Sequence, residues 1–343
     1  MGKICGKDCR SDEAERFVHA LYRGVLRREP DEVGLTHYVN AILAGRTHAS
    51  IIEEFIGCQE FTDQTSVKLF VPPGHFYSPI VNPIEADRRL MSIEARQMPD
   101  GLPGIALDRS EMIRTWQRLL PFLVSVPFTA ARRAELRYYF DNPTYSWGDG
   151  SILHAMLRFY RPQRIIEIGS GWSSACTLDT VDRYLDGACE MTFVDPNPRL
   201  LRDLLGDSAR RVRILEMPVQ HVPLAVFGTL EAGDILFVDS THVVRTGSDV
   251  CFQLFEVLPR LARGVLVHIH DMFWPFEYSR QWVVEENRSW NELYAVRAFL
   301  SYNDAWRIIL FNDYLVKLER GMIEATYPQF MRNTGGALWL QRS

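Results

Sequence analysis

The apolar positions of this chain change their rhythm at Arg164. Upstream they recur at helical spacing. Downstream, short runs that are apolar at every position alternate with helical stretches. Phe17, Leu21 and Val25 recur every fourth residue, Asp31–Ala44 reads as a second helix closed by Gly45, and Ile51, Ile52, Phe55 and Ile56 mark a third. The first helix is predicted to begin at a capping pair, Asp12 and Glu15, and to stop before Pro30, since the residue preceding a proline avoids helical backbone. After Arg164 the apolar runs are Ile165–Ile168, Met191–Val194, Val212–Leu215, Ile235–Val238 and Gly264–His270. A strand covered on both faces is apolar throughout rather than at alternate positions, so these runs predict a doubly wound parallel sheet. Two further strands, Trp306–Phe311 and Ala337–Leu340, are expected to close the chain with no helix between them.

The rhythm divides the chain into three. Residues 1–66 read as a small all-helical domain. Residues 67–135 form a proline-rich linker with packing helices, and residues 136–343 form an α/β domain. A length of 343 residues accommodates this. A net charge of -5 and a pI near 6.0 argue against a nucleic-acid partner. Met1–Arg16 is charged and lacks an apolar core, no run approaches the roughly 18 apolar residues of a membrane span, and six cysteines in this length fit reduced thiols. These features predict a cytoplasmic protein. Cys5 and Cys9 make a C-x3-C pair, but no second pair follows to complete a zinc site.

Ligands of such sheets bind beyond the carboxyl ends of the strands, so the residues there carry the chemistry. The stretch Arg164–Ser174 runs from a buried strand through the turn Gly169-Ser170-Gly171 into a helix whose start Ser173 or Ser174 can cap. Glu167 lies within that strand end, where a carboxylate needs a partner, and a cationic ligand would supply one. Asp195 follows the second strand, in the place of an acid that holds ribose hydroxyls. Met217–Gln220 follow the third, where Gln220 is placed to meet an adenine edge. Asp239 ends the fourth strand and His270-Asp271 the fifth. A nicotinamide enzyme would share Asp195 but has no use for Glu167, and has a third glycine where Ser174 stands. S-adenosyl-L-methionine, with its ammonium and sulfonium, suits Glu167 and Asp239 better.

Two resemblances sharpen this. Phe17, Leu21, Tyr22, Arg28, Pro30, Asp31, Gly34, Leu35, Glu60 and Phe61 match a bacterial helical family related to the phycobilisome linker domain. Such domains accompany enzymes and adhesins of cell-surface polysaccharides, and the resemblance implies a docking or oligomerisation module that meets a protein partner. The motifs Phe76–Pro79, Tyr138–Asp149, Ile165–Ala175, Gly233–Val250 and Leu258–Tyr278 resemble a bacterial family of class I S-adenosylmethionine-dependent methyltransferases. That resemblance implies a Rossmann-like seven-stranded sheet. It implies that Glu167, Gly169, Gly171 and Asp195 bind the cofactor; Ser170 within the turn, Gln220 and Asp239 complete the expected set by position.

A more distant resemblance is to metal-dependent sugar and catechol O-methyltransferases. There, acids after the fourth and fifth strands bind a divalent cation such as magnesium or manganese. It implies a metal on Asp239, His270 and Asp271, with His270 departing from an acidic ligand, and His242, three residues after Asp239, as the general base. An imidazole with an ordinary pKa near 6.5 would take a hydroxyl proton at neutral pH. The expected activity is O-methylation of a sugar or surface-glycan precursor. The rival is a non-catalytic scaffold of a polysaccharide assembly, recognisable by a pocket filled with side chains.

Overall fold

The computed structural model describes residues 8–61, 70–205 and 212–343. The chain forms two compact units, Met1–Pro79 and Ile80–Ser343. The Cys5/Cys9 pair lies outside the described residues and side chains.

In the first unit, helices Asp8–Val25, Glu32–Leu43 and His48–Gly57 enclose a small core of Val18, Leu21, Tyr22, Leu26, Ile51 and Phe55. Asp12 sits inside the first helix rather than at its start. The Arg-x-Pro-Asp-x-x-Gly turn has a physical reading. Arg28 Nε and Nη2 donate to Glu60 Oε1 and Oε2 at 2.5 and 2.9 Å, joining the turn to the closing Glu-Phe. Asp31 caps the second helix by accepting from Gly34 N at 2.8 Å. Gly34 packs closely on Tyr22: a Cβ there would lie 2.1 Å from the Tyr22 hydroxyl oxygen, so that ring would have to shift.

The second unit is a seven-stranded sheet: β1 (Arg164–Ile168), β2 (Glu190–Val194), β3 (Val212–Leu215), β4 (Ile235–Val238), β5 (Leu266–Ile269), β6 (Trp306–Phe311) and β7 (Leu338–Arg342). Their order is β3-β2-β1-β4-β5-β7-β6, with β7 antiparallel to both neighbours and the remaining described pairings parallel. β4 and β5 are buried at all four positions, as unbroken apolar runs require. Each fully buried large side chain in this core, Phe193, Phe237 and Trp339 among them, contributes about 1.5–3 kcal/mol.

One expectation needs correction here. Helix Asn312–Thr326 lies between β6 and β7. It begins at the residue after the strand, with no spacer, and Glu319 leaves helical geometry within it, so its period was hard to read. Among the packing helices of the proline-rich stretch is Arg109–Leu123, which carries Pro121 in its last turn and ends before Pro127. The segment that follows is fixed by side chains instead. Asp179 accepts from the backbone N–H groups of Arg137 and Tyr138 at 2.8 and 2.9 Å, and the Tyr138 hydroxyl donates to Tyr145 O at 2.7 Å. Asn142 donates to Tyr145 O and accepts from Tyr145 N. This stapling holds Pro143–Tyr145 at the carboxyl rim of the sheet.

Candidate functional site

The first residue beyond four of the strands continues the sheet ladder by one bond. Gly169 N donates to Val194 O at 2.9 Å, Asp195 N to Leu215 O at 3.1 Å, Asp239 N to Ile168 O at 2.9 Å and His270 N to Val238 O at 2.9 Å. The backbone of all four strand ends is therefore fixed along one rim. A cleft of about 770 Å³ opens there. It is lined by the Gly169–Gly171 turn, Asp195 and Gln220 on one side, and by Asp239, His242, His270 and Asp271 on the other.

At the first side the turn is shaped by Gly169. Its φ is +84°, and a Cβ would lie 1.8 Å from the Asp239 carbonyl oxygen. Asp195 accepts from Ser170 Oγ at 2.6 Å and from Asn197 N at 2.7 Å, which fixes its carboxylate at the cleft. Gln220 donates through Nε2 to Gly247 O at 2.8 Å and still lines the wall. Glu167 differs from expectation, being fully buried and absent from the lining. One of its oxygens accepts from Ser173 Oγ at 2.6 Å and Ser174 Oγ at 2.8 Å; Ser174 Oγ in turn accepts from Gly171 N at 3.0 Å. Its other oxygen is buried without a hydrogen-bond partner. Burial pushes the Glu167 carboxyl up to about 8, against the pull of the two serines. The turn thus supplies partners for one oxygen of Glu167 and none for the other.

At the other side the charged groups cluster around His242. Its Nδ1 is 2.8 Å from Glu292 Oε2, and its Nε2 is 3.5 Å from both Asp239 Oδ1 and Asp271 Oδ2. His242 and Asp271 both have left-handed backbone, φ +60° and +56°, a strained geometry held by the surroundings. The His242 carbonyl accepts from Asn291 N and Glu292 N, both at 3.1 Å. Burial alone would lower the His242 pKa, but Asp239, Glu292 and Asp271 outweigh it and hold the imidazole up to about 10. The expectation of titration near 6.5 is thus corrected by three carboxylates converging from separate segments. Asp239 is held below its usual range: burial raises it, and His270 and His242 more than reverse that. Asp149 is buried behind this cluster, accepts from Gly336 N at 3.1 Å, and is pushed up to about 6 by burial. His268 belongs to the core, stacked on Phe237 at 4.1 Å and held neutral by burial.

The expected metal ligands come together without making a metal site. His270 Nε2 is 3.4 Å from Asp271 Oδ1, and Asp239 and Asp271 both approach His242 Nε2. The gap between those two carboxylates is filled by an imidazole nitrogen. Among the described residues, no group of three His, Cys, Asp or Glu side chains is arranged to hold a metal ion.

Glu292 was invisible in the sequence. It reads there as an ordinary acid in a helix's first turn, fifty residues from His242. Trp282, Arg288 and Trp290 also line the cleft. Trp290 lies 4.4 Å from the His242 ring, and the Arg288 guanidinium sits over Trp282 and Trp290 at 4.2 and 4.5 Å.

A parallel sheet closed by an antiparallel last strand, with a glycine turn after β1 and an acid after β2 on a single cleft, has the architecture of class I S-adenosylmethionine-dependent methyltransferases. Residues 166–272 match the family model described as a methyltransferase domain, and residues 8–65 match a domain of unknown function (DUF4214). The chain belongs to the class I S-adenosylmethionine-dependent methyltransferase family. An uncharacterised protein of Archaeoglobus fulgidus is 34% identical over 176 residues, which cover 50% of this chain and 78% of that relative. Among solved structures, the S-adenosylhomocysteine-bound methyltransferase PaMTH1 of Podospora anserina aligns at 15% identity over 76% of this chain and 96% of its own, with a TM-score of 0.37. The O-methyltransferase TomG of Streptomyces achromogenes, involved in tomaymycin synthesis and solved with S-adenosylmethionine, aligns at 12% identity over 76% and 96%, with a TM-score of 0.35. No helix among the described residues is long and apolar enough to cross a membrane.

Proposed function

We propose that this methyltransferase acts on a hydroxyl oxygen of a sugar or sugar-containing surface-glycan precursor, with His242 as the base. The observation that carries this reading is the His242 imidazole held by buried Glu292 at 2.8 Å, with its second nitrogen facing the cleft acids Asp239 and Asp271. When bound, S-adenosyl-L-methionine supplies an electrophilic methyl group on its sulfonium. The Gly169–Gly171 turn, Asp195 and Gln220 would hold it, and a cleft of about 770 Å³ has room for it and an acceptor.

The chain's own groups do the rest. Glu292 fixes the His242 ring and keeps a proton on Nδ1, so that Nε2 is the nitrogen that accepts the hydroxyl proton. Asp239 and Asp271 stabilise the imidazolium that results, as a carboxylate beside a general base does. A base with so high a pKa is strong but is mostly protonated at neutral pH, so turnover should rise with pH. Trp282 and Trp290 offer flat faces beside the base, which suit the C–H face of a sugar ring. An open cleft counts against a scaffold with a filled pocket.

The test is methyl transfer from labelled S-adenosylmethionine to a panel of sugars and nucleotide-linked sugars, with wild type and His242→Ala. The expected result is an O-methyl ether made by wild type alone. Label on nitrogen or sulfur, or equal turnover by His242→Ala, would overturn the reading.

A further inference from the structure

Beside the aromatic run that follows Asp271 lies a second cavity, of about 780 Å³, bounded by helix Pro83–Glu94, the 96–103 loop and Phe273–Arg280. It shares no lining residue with the methyl-transfer cleft. Its walls are of two kinds. Leu90, Trp274 and Tyr278 are buried and give it apolar faces. Arg89, Arg96 and Arg297 belong to the same lining, the first two exposed and the third half-buried.

Most other charges of this wall are already engaged. Lys317 Nζ donates to Asp313 Oδ2 at 2.7 Å and to Trp274 O at 2.6 Å. Arg280 pairs with Asp87 at 2.7 Å and Glu285 at 3.1 Å, and Glu277 accepts from the Tyr294 hydroxyl. Arg89, Arg96 and Arg297 have no such carboxylate among the described residues. In all, five cations (these three, Arg280 and Lys317) line the cavity against three carboxylates, Glu94, Glu277 and Asp313. Uncompensated cations beside apolar walls favour an anion that also brings apolar surface, and the planar guanidinium fork matches phosphate and carboxylate alike.

We propose that this cavity is a second ligand site, for an organic anion: a phosphate or carboxylate on a flat apolar body, held by Arg89, Arg96 and Arg297. The inference goes beyond the reading of the cleft and does not depend on it. The site also abuts the groups that hold the base, since the hydroxyl oxygen of Tyr278 accepts from Leu293 N at 3.2 Å, one residue from Glu292.

The test is calorimetry on the full chain with phenyl phosphate, benzoate and phenol, with and without saturating S-adenosylhomocysteine. The expected result is that one of the two anions binds below about 1 mM and phenol at least about tenfold more weakly, whether or not S-adenosylhomocysteine is present. The better of the two anions identifies the ligand as a phosphate or a carboxylate. An Arg89→Gln/Arg297→Gln double variant should lose about tenfold in affinity with an unchanged melting temperature. Should that variant fail to fold, the salt dependence of wild-type binding replaces it, with affinity falling as salt rises. Equal binding of phenol, no saturable binding of either anion, unchanged affinity in the double variant, or salt-independent binding would each overturn the proposal.

Discussion

Replacing Glu292 with glutamine removes one negative charge from His242 and leaves an oxygen to accept from Nδ1. The two side chains meet at 2.8 Å and are almost fully buried, at 6% and 2% exposure, so solvent screens the pair little. An opposite charge at this range raises an imidazole pKa by about 1–3 units, or roughly 1.4–4 kcal/mol of preference for the charged form. From a wild-type value of about 10, His242 in Glu292→Gln should titrate at roughly 7–9. The assay is a carbon–proton NMR titration of histidine-labelled protein, with the resonance assigned by its loss in His242→Ala; it needs no acceptor. With a known acceptor, the pH profile of kcat/KM should move the same way, because it reports the free enzyme's groups. A wild-type His242 that titrates near its ordinary pKa of about 6.5 would refute the reasoning, as would an unchanged value in Glu292→Gln.

Three further outcomes follow from the same geometry. Glu167 has a folded-state pKa of about 8 against 4.5 unfolded, so its contribution to stability is fully present below 4.5 and is lost as pH rises through 8. Glu167→Gln keeps an acceptor for both serines, so its cofactor-free melting temperature should match wild type near about pH 5 and exceed it by several degrees near about pH 9, the upper bound being about 5 kcal/mol. Equal melting at both pH values would contradict this. Gly169→Ala places a Cβ 1.8 Å from the Asp239 carbonyl oxygen, so cofactor affinity should fall by more than about tenfold, and near wild-type affinity in calorimetry would show that the turn is not used. Activity should survive exhaustive chelation, because the gap between Asp239 and Asp271 is filled by His242; activity lost on chelation and restored by a divalent ion would contradict that.

Much of the fold was legible in the sequence because a parallel strand covered on both faces leaves an unbroken apolar run. Ile235–Val238 and Leu266–Ile269 announce themselves that way, and the residues after them fall on the rim by topology alone. Asp195, Asp239, His270 and Asp271 were found together because each follows such a strand, whereas His242 was named only through the resemblance to sugar methyltransferases. What the sequence hid depends on contacts between distant segments. Glu292 reaches His242 across fifty residues, and the convergence of three carboxylates turned an ordinary imidazole into one protonated at neutral pH. Nothing in the strand of Glu167 shows that Ser173 and Ser174 fold back onto one of its oxygens. The helix after β6 was missed because it starts without a spacer and is broken at Glu319.

The most direct measurement is calorimetric titration of the full chain with S-adenosylhomocysteine, comparing wild type, Asp195→Ala and His242→Ala. One saturable site per chain is expected, weakened about tenfold or more by Asp195→Ala and left within about twofold by His242→Ala. No saturable binding, or equal affinity in wild type and Asp195→Ala, would contradict the placement of the methyl donor at this rim.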